Sequence, residues 1–113
     1  MDDDAIDGIG PWLMIFAEHV RDDVAVRIWG DLDLESADDL RRELDRIAAA
    51  MVPGGLVVVD ASDLSFVDST GLLALDEGRP AIRRGGGRFR LVASEALRRL
   101  LELSGMTELL VDG

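Results

Sequence analysis

Apolar and polar positions alternate in two rhythms along this chain, and the places where the rhythm changes divide it into elements. Trp12-Leu13-Met14-Ile15-Phe16-Ala17 is a candidate strand, and Val24-Ala25-Val26-Arg27-Ile28-Trp29 alternates cleanly and is rich in β-branched and aromatic residues. The polar stretch Arg21-Asp22-Asp23 between them predicts a hairpin. Gly30 to Glu35 reads as a loop. From Ser36 the spacing lengthens: Leu40, Leu44, Ile47, Ala48 and Met51 fall on one face of a helix, with Arg and Asp opposite. Asp39 stands three residues after Ser36, the spacing of a weak capping box. Pro53-Gly54-Gly55 ends that helix.

Leu56 to Val59 is a continuous apolar run, the pattern of a central strand covered on both faces. A short loop follows, and Asp68-Ser69-Thr70-Gly71 opens a second helix in which Leu72, Leu75 and Ile82 share a face. Gly78-Arg79-Pro80 should kink or end this helix, because a proline ring clashes with the preceding turn. Gly85-Gly86-Gly87 closes the segment. Phe89 to Ala93 is the next strand. Ser94 caps a third helix with Leu97, Leu100 and Leu101 inward and Gly105 at its end. Glu108-Leu109-Leu110-Val111 is a last strand or helix. The order predicts an α/β domain: a small mixed β-sheet of about five strands with three or four helices packed on it.

Composition changes this picture in a few respects. With 113 residues the chain is sized for one domain, expected over residues 11–113 behind a disordered acidic tail at 1–10. There is no Cys, so no disulfide framework, thiolate nucleophile or thiolate metal site exists. The acidic start is unlike a signal peptide, and no apolar run approaches the roughly 20 residues of a membrane span. The expectation is a cytoplasmic protein without direct membrane insertion. A net charge of −11 disfavours nucleic acid as a partner and suits a protein with a basic face.

Several chemistries fail on their residues. The only His is His19, at the end of a candidate strand, and Asp-Ser-Thr-Gly is not the nucleophile elbow of hydrolases. Asp31, Asp33, Glu35, Ala37 and Asp39 have the spacing of a calcium loop. However, Ser36 stands where that loop needs Gly, and Arg42 where it needs a bidentate Glu. Gly85-Gly86-Gly87 lacks the Lys-Ser/Thr of a phosphate-binding loop. No catalytic residue, metal or cofactor is expected, and the chain reads as a non-enzyme.

What remains is Asp68-Ser69-Thr70-Gly71 at a helix N-terminus, where backbone N–H groups and the helix dipole favour negative charge. Ser69 there is either a helix cap or the acceptor of a phosphate. The run from Val57 to Gly71 closely resembles the signature of the STAS domain, the family of anti-sigma factor antagonists. Two further stretches resemble it in order: Gly30-Asp31-Leu32-Asp33 before the Ser36-Ala37 helix start, and Gly86-Gly87 before a strand and a helix ending near Gly105. The resemblance covers residues 12 to 111 and implies a small mixed sheet with helices on one side. It implies that the unphosphorylated domain binds an anti-sigma factor that is also a serine kinase, so releasing a sigma factor. The kinase then phosphorylates Ser69, with Thr70 the lesser acceptor, and a serine phosphatase resets the switch. Asp31, Asp33, Asp68, Ser69, Thr70, Gly71 and Leu73 would form the docking surface. Two residues depart from the family pattern: Leu73 replaces a Gly, and Gly78-Arg79-Pro80 interrupts a helix that is normally continuous. STAS-like domains also serve as cytoplasmic accessory subunits of membrane transporters, and in that reading the Asp68–Thr70 stretch is a constitutive interface.

Overall fold

The computed structural model describes residues 13–111; the acidic stretch 1–10 lies outside the described residues. Strand β1 (Leu13–Val20) turns at Arg21-Asp22 into β2 (Asp23–Leu32), then α1 (Ala37–Ala49), β3 (Leu56–Val67), α2 (Ser69–Arg84), β4 (Arg88–Ala93) and α3 (Glu95–Leu103) follow. A single 3-10 turn, Thr107–Leu110, comes last. Among the described residues the sheet has four strands, in the order β1-β2-β3-β4. β1 and β2 are antiparallel, as a tight hairpin requires; β3 and β4 run parallel to β2.

This order places the helices. Two successive parallel connections step in one direction across the sheet, from β2 to β3 to β4. A right-handed crossover at each step puts α1 and α2 on the same face. Burial accordingly alternates in every central strand. Val24, Val26 and Ile28 of β2, Val57, Val59 and Ala61 of β3, and Phe89 and Leu91 of β4 face the helices and are buried. The apolar run of β3 is therefore covered on one face only, not on two as its composition suggests. Val58 and Val92 face the other side, with Met14, Phe16 and Trp29 exposed beside them. A run of valines is equally good for a half-buried strand, because branching at Cβ suits any pleated surface.

The helices meet the core as their spacing predicts. Leu40, Leu44 and Ile47 of α1 and Leu72, Leu75 and Ile82 of α2 are all buried. Four features depart from expectation. β2 does not end before Gly30 but continues to Leu32 through two register shifts, with Gly30 at φ 101°. β3 does not end at Val59; it runs on to Val67 while paired with β2. The final Leu109-Leu110 stretch is a 3-10 turn that buries Leu109, so the sheet has four strands rather than about five.

The fourth departure is α2, which is helical through Pro80 to Arg84. A mid-helix proline removes one backbone bond and costs about 3 kcal/mol. Here packing on both sides of it offsets that loss. A Cβ on Gly78 would lie 2.6 Å from Leu44 Cδ1, so this glycine lets α1 and α2 approach closely. Ala81 and Ile82, just beyond the proline, are buried. Arg79 also donates from Nη1 to the Glu108 carbonyl at 2.8 Å, tying the helix to the 3-10 turn.

Candidate functional site

The carboxyl ends of β2 and β3 lie side by side, with Asp31 paired to Phe66 and Leu32 to Val67. Each strand then enters a helix. The β2–α1 connection and the start of α2 therefore share one end of the sheet, and there Asp31, Asp33, Asp68, Ser69, Thr70, Gly71 and Leu73 all come together.

Asp68 holds the two segments to each other. It is the N-cap of α2, in extended conformation, and its Oδ1 accepts from Gly71 N–H at 2.9 Å. Its other oxygen, Oδ2, accepts from Leu34 N–H at 3.2 Å, across to the β2–α1 connection. The Asp68 backbone N–H adds a bond to the Leu32 carbonyl at 3.2 Å. One aspartate thus caps the helix and clamps the neighbouring loop. Gly71 is required by the same closeness. A Cβ there would overlap the Leu32 carbonyl, so any other residue pushes α2 off the end of β2.

The β2–α1 connection is locked internally. Asp33 Oδ1 accepts from Glu35 N–H at 3.0 Å and from Ser36 N–H at 3.3 Å. The Ser36 hydroxyl is buried; it donates to the Asp31 carbonyl at 2.8 Å and accepts from Asp33 N–H at 3.0 Å. Ser36 therefore does not cap α1 with its side chain, and the capping box with Asp39 does not form. The hydroxyl is more useful to two backbone groups and the Asp33 carboxylate of the loop than to one helix N–H. Asp39 instead pairs with Arg42.

Ser69 is exposed at the first position of α2, and its hydroxyl has no hydrogen-bond partner among the described residues. Capping is the work of Asp68, so the Ser69 side chain is free of any structural duty. Thr70 is half-buried, one step further into the helix. Leu73 projects into solvent, 43% exposed, so its bulk is accommodated without disturbing the fold. Sequence reasoning missed two neighbours: Leu34, 72% exposed, and Phe66, 53% exposed, which place large apolar surface beside the acidic groups. An apolar residue directly following a site aspartate, or two residues before one, was the available signal. From Asp31 to Glu35 and from Phe66 to Gly78 there is no basic residue, so the face is acidic and apolar. Among the described residues no cluster of His, Cys, Asp or Glu is placed to hold a metal ion. No described helix is long and apolar enough to cross a membrane.

An acidic, preorganised helix mouth with an exposed hydroxyl thus lies at one end of a mixed sheet that helices cover on one face. The family model of the STAS domain matches residues 14–111, and the chain belongs to that family. It is 31% identical over 91 residues to the anti-sigma-B factor antagonist of Bacillus subtilis, covering 80% of this chain and 81% of the relative. Among solved structures it is similar to an anti-sigma factor antagonist from Mycobacterium paratuberculosis, with TM-score 0.74 and 25% identity over 88% of this chain and 83% of that one. It also shares the fold of SpoIIAA from Bacillus. The unphosphorylated form of that antagonist superposes with TM-score 0.70 at 22% identity, over 87% of this chain and 86% of that one. The phosphorylated form gives 0.65 at 20% identity, over 87% and 89%.

Proposed function

We propose that this protein is an anti-sigma factor antagonist, a cytoplasmic regulator that acts by binding rather than by catalysis. Unphosphorylated, it docks an anti-sigma factor that is also a serine kinase through Asp31, Asp33, Asp68, Ser69, Thr70, Gly71 and Leu73, and so frees a sigma factor. Transfer of phosphate to Ser69 ends the interaction, and a serine phosphatase restores it. The observation that carries the reading is the Ser69 hydroxyl itself, exposed and without a hydrogen-bond partner among the described residues, at a helix mouth whose capping is already done by Asp68.

The energetics fit a reversible switch. A phosphate on Ser69 adds about −1.5 to −2 charges. The fold tolerates them, because the first N–H groups of α2 point outward and the helix dipole favours an anion. Under a partner packed closely on Asp68, the phosphate would be crowded against that carboxylate and stripped of water. A penalty of about 3 kcal/mol there corresponds to two decades of affinity. The relatives bear the name of antagonists, which favours this reading over a transporter accessory subunit.

The test is affinity and phosphate incorporation with the purified serine-kinase anti-sigma factor and ATP. Wild type binds and is labelled on Ser69. Ser69→Asp keeps the fold and loses about 100-fold in affinity. Ser69→Ala binds and is not labelled. Equal affinity for wild type and Ser69→Asp, with no label on wild type, refutes the switch.

A further inference from the structure

Beside the loops that carry Ser69, β3 presents a stretch of open edge. Its residues Leu56 to Ala61 pair with Arg88 to Ala93 of β4. There β4 stops, and Ser94 turns the chain into α3, its hydroxyl accepting from Leu97 N–H at 3.1 Å. β3 continues from Ser62 to Val67 with β2 on one side and, among the described residues, no strand on the other. Half of the backbone groups of an extended segment point to each side, so this stretch offers donors and acceptors to whatever lies alongside. The Ser62 N–H is already taken, by Asp60 Oδ1 at 3.0 Å.

A groove follows the open edge. Leu64 and Phe66 of β3 form one wall, and Ser94, Leu97 and Leu100 of α3 the other; its volume is about 60 Å³, room for part of one aliphatic side chain. Leu100 is 38% exposed on its rim. The edge then runs without a break into Asp68 and Ser69. Backbone groups in a row, with a shallow apolar notch beside them, are the features by which an extended peptide adds a strand to a sheet.

We propose that residues 62–67 receive an extended segment of the anti-sigma partner. It sets one aliphatic side chain into the groove and basic residues toward Asp68. The proposal rests on the antagonist reading and deepens it: main-chain bonding to β3 supplies affinity, and the groove selects among partners. A partner with basic residues fits better than a second copy. The chain carries a net charge of −11, and the face adjoining the edge has four acidic residues, Asp31, Asp33, Glu35 and Asp68, and no basic one.

The experiment is amide hydrogen exchange of the full chain, alone and saturated with the purified serine-kinase anti-sigma factor. Affinities are measured in parallel for Phe66→Ala and Leu100→Asp, each checked for an unchanged fold by circular dichroism. Exchange at residues 62–67 slows about tenfold in the complex. Both variants bind about tenfold more weakly, as truncated interface anchors do. Protection confined to residues 31–36 and 68–73, with both variants binding like wild type, overturns the strand proposal. Labelling of Ser69 in that same experiment leaves the antagonist reading standing. A kinase that neither binds nor labels wild type removes both. Slowing at 62–67 in the free chain that grows with its concentration assigns the edge to a second copy and also overturns the proposal.

Discussion

Asp68 holds two segments with two oxygens, and removing them one at a time separates its two tasks. Asp68→Ala deletes the cap of α2 and the bond to Leu34 together. Loss of an N-cap costs about 1 kcal/mol. The Leu34 bond is solvent-exposed at 3.2 Å and contributes less than a buried charge-assisted bond, about 0.5–1 kcal/mol. The sum is about 2 kcal/mol, or roughly 8–16 °C in melting temperature for a domain of this size. Asp68→Asn keeps a good capping oxygen toward Gly71 and turns an amide N–H₂ toward the Leu34 donor. It therefore loses only the cross-loop bond, about half of the effect. Urea denaturation of wild type and both variants gives the ranking, and amide exchange gives its location. Leu34 N–H should speed up in both variants, Gly71 N–H only in Asp68→Ala. Equal stabilities for Asp68→Ala and wild type, or a Leu34 amide indifferent to Asp68→Asn, would refute the clamp.

Other outcomes follow from the packing. Leu44→Ala should cost about 2–5 kcal/mol, since Leu44 is fully buried and fills the space over Gly78; an unchanged denaturation midpoint contradicts its placement. Gly71→Ala should destabilise by roughly 1–3 kcal/mol through its clash with the Leu32 carbonyl, whereas Leu73→Ala, at an exposed position, should stay within about 0.5 kcal/mol. Amides 81–84 should exchange slowly despite Pro80, and free exchange beyond Glu77 would show that the helix does end there. The Asp60 carboxyl is held below the usual aspartate range, chiefly by the Ser62 hydroxyl at 2.6 Å and further by the Ser62 N–H and nearby Arg27, with burial opposing. A depressed folded pKa contributes stability that is present above about pH 4 and is lost as pH falls through the lowered value. Ser62→Ala should therefore lower stability at neutral pH, leave stability below the lowered value nearly unchanged, and so flatten the acid limb of a stability–pH profile; an unaltered limb contradicts it.

Much of this was legible because local and global preferences agree. The alternation of β2, the 3–4 spacing of Leu40, Leu44 and Ile47, and Ser94 before an amphipathic run each specify one element. Where reading failed, a partner distant in sequence decided. Asp60, Ser62 and Asp63 look like a loop, yet β2 supplies a ladder that holds them extended. Pro80 looks like a break, yet Leu44 and the 3-10 turn hold the helix on both sides of it. Ser36 has the chemistry of a cap, and a three-way contact inside the loop outcompetes that role. At the site, the motif named the hydroxyl, the cap and the glycine. It did not show that Leu34 and Phe66 stand exposed beside them, since exposure of an apolar residue is set by what fails to cover it.

The clamp at Asp68 has a kinetic consequence. With the Leu32 carbonyl, Leu34 and Gly71 all bonded or packed to one short stretch, the Ser69 backbone is already in its working shape before any partner arrives. Encounter then needs no ordering step, so association proceeds at a rate set by diffusion and charge steering rather than by a loop waiting to fold. Under the proposed switch, modification likewise changes the face without moving it. The response time then belongs to the enzymes that write and erase the phosphate, and the protein between them behaves as a register holding one bit.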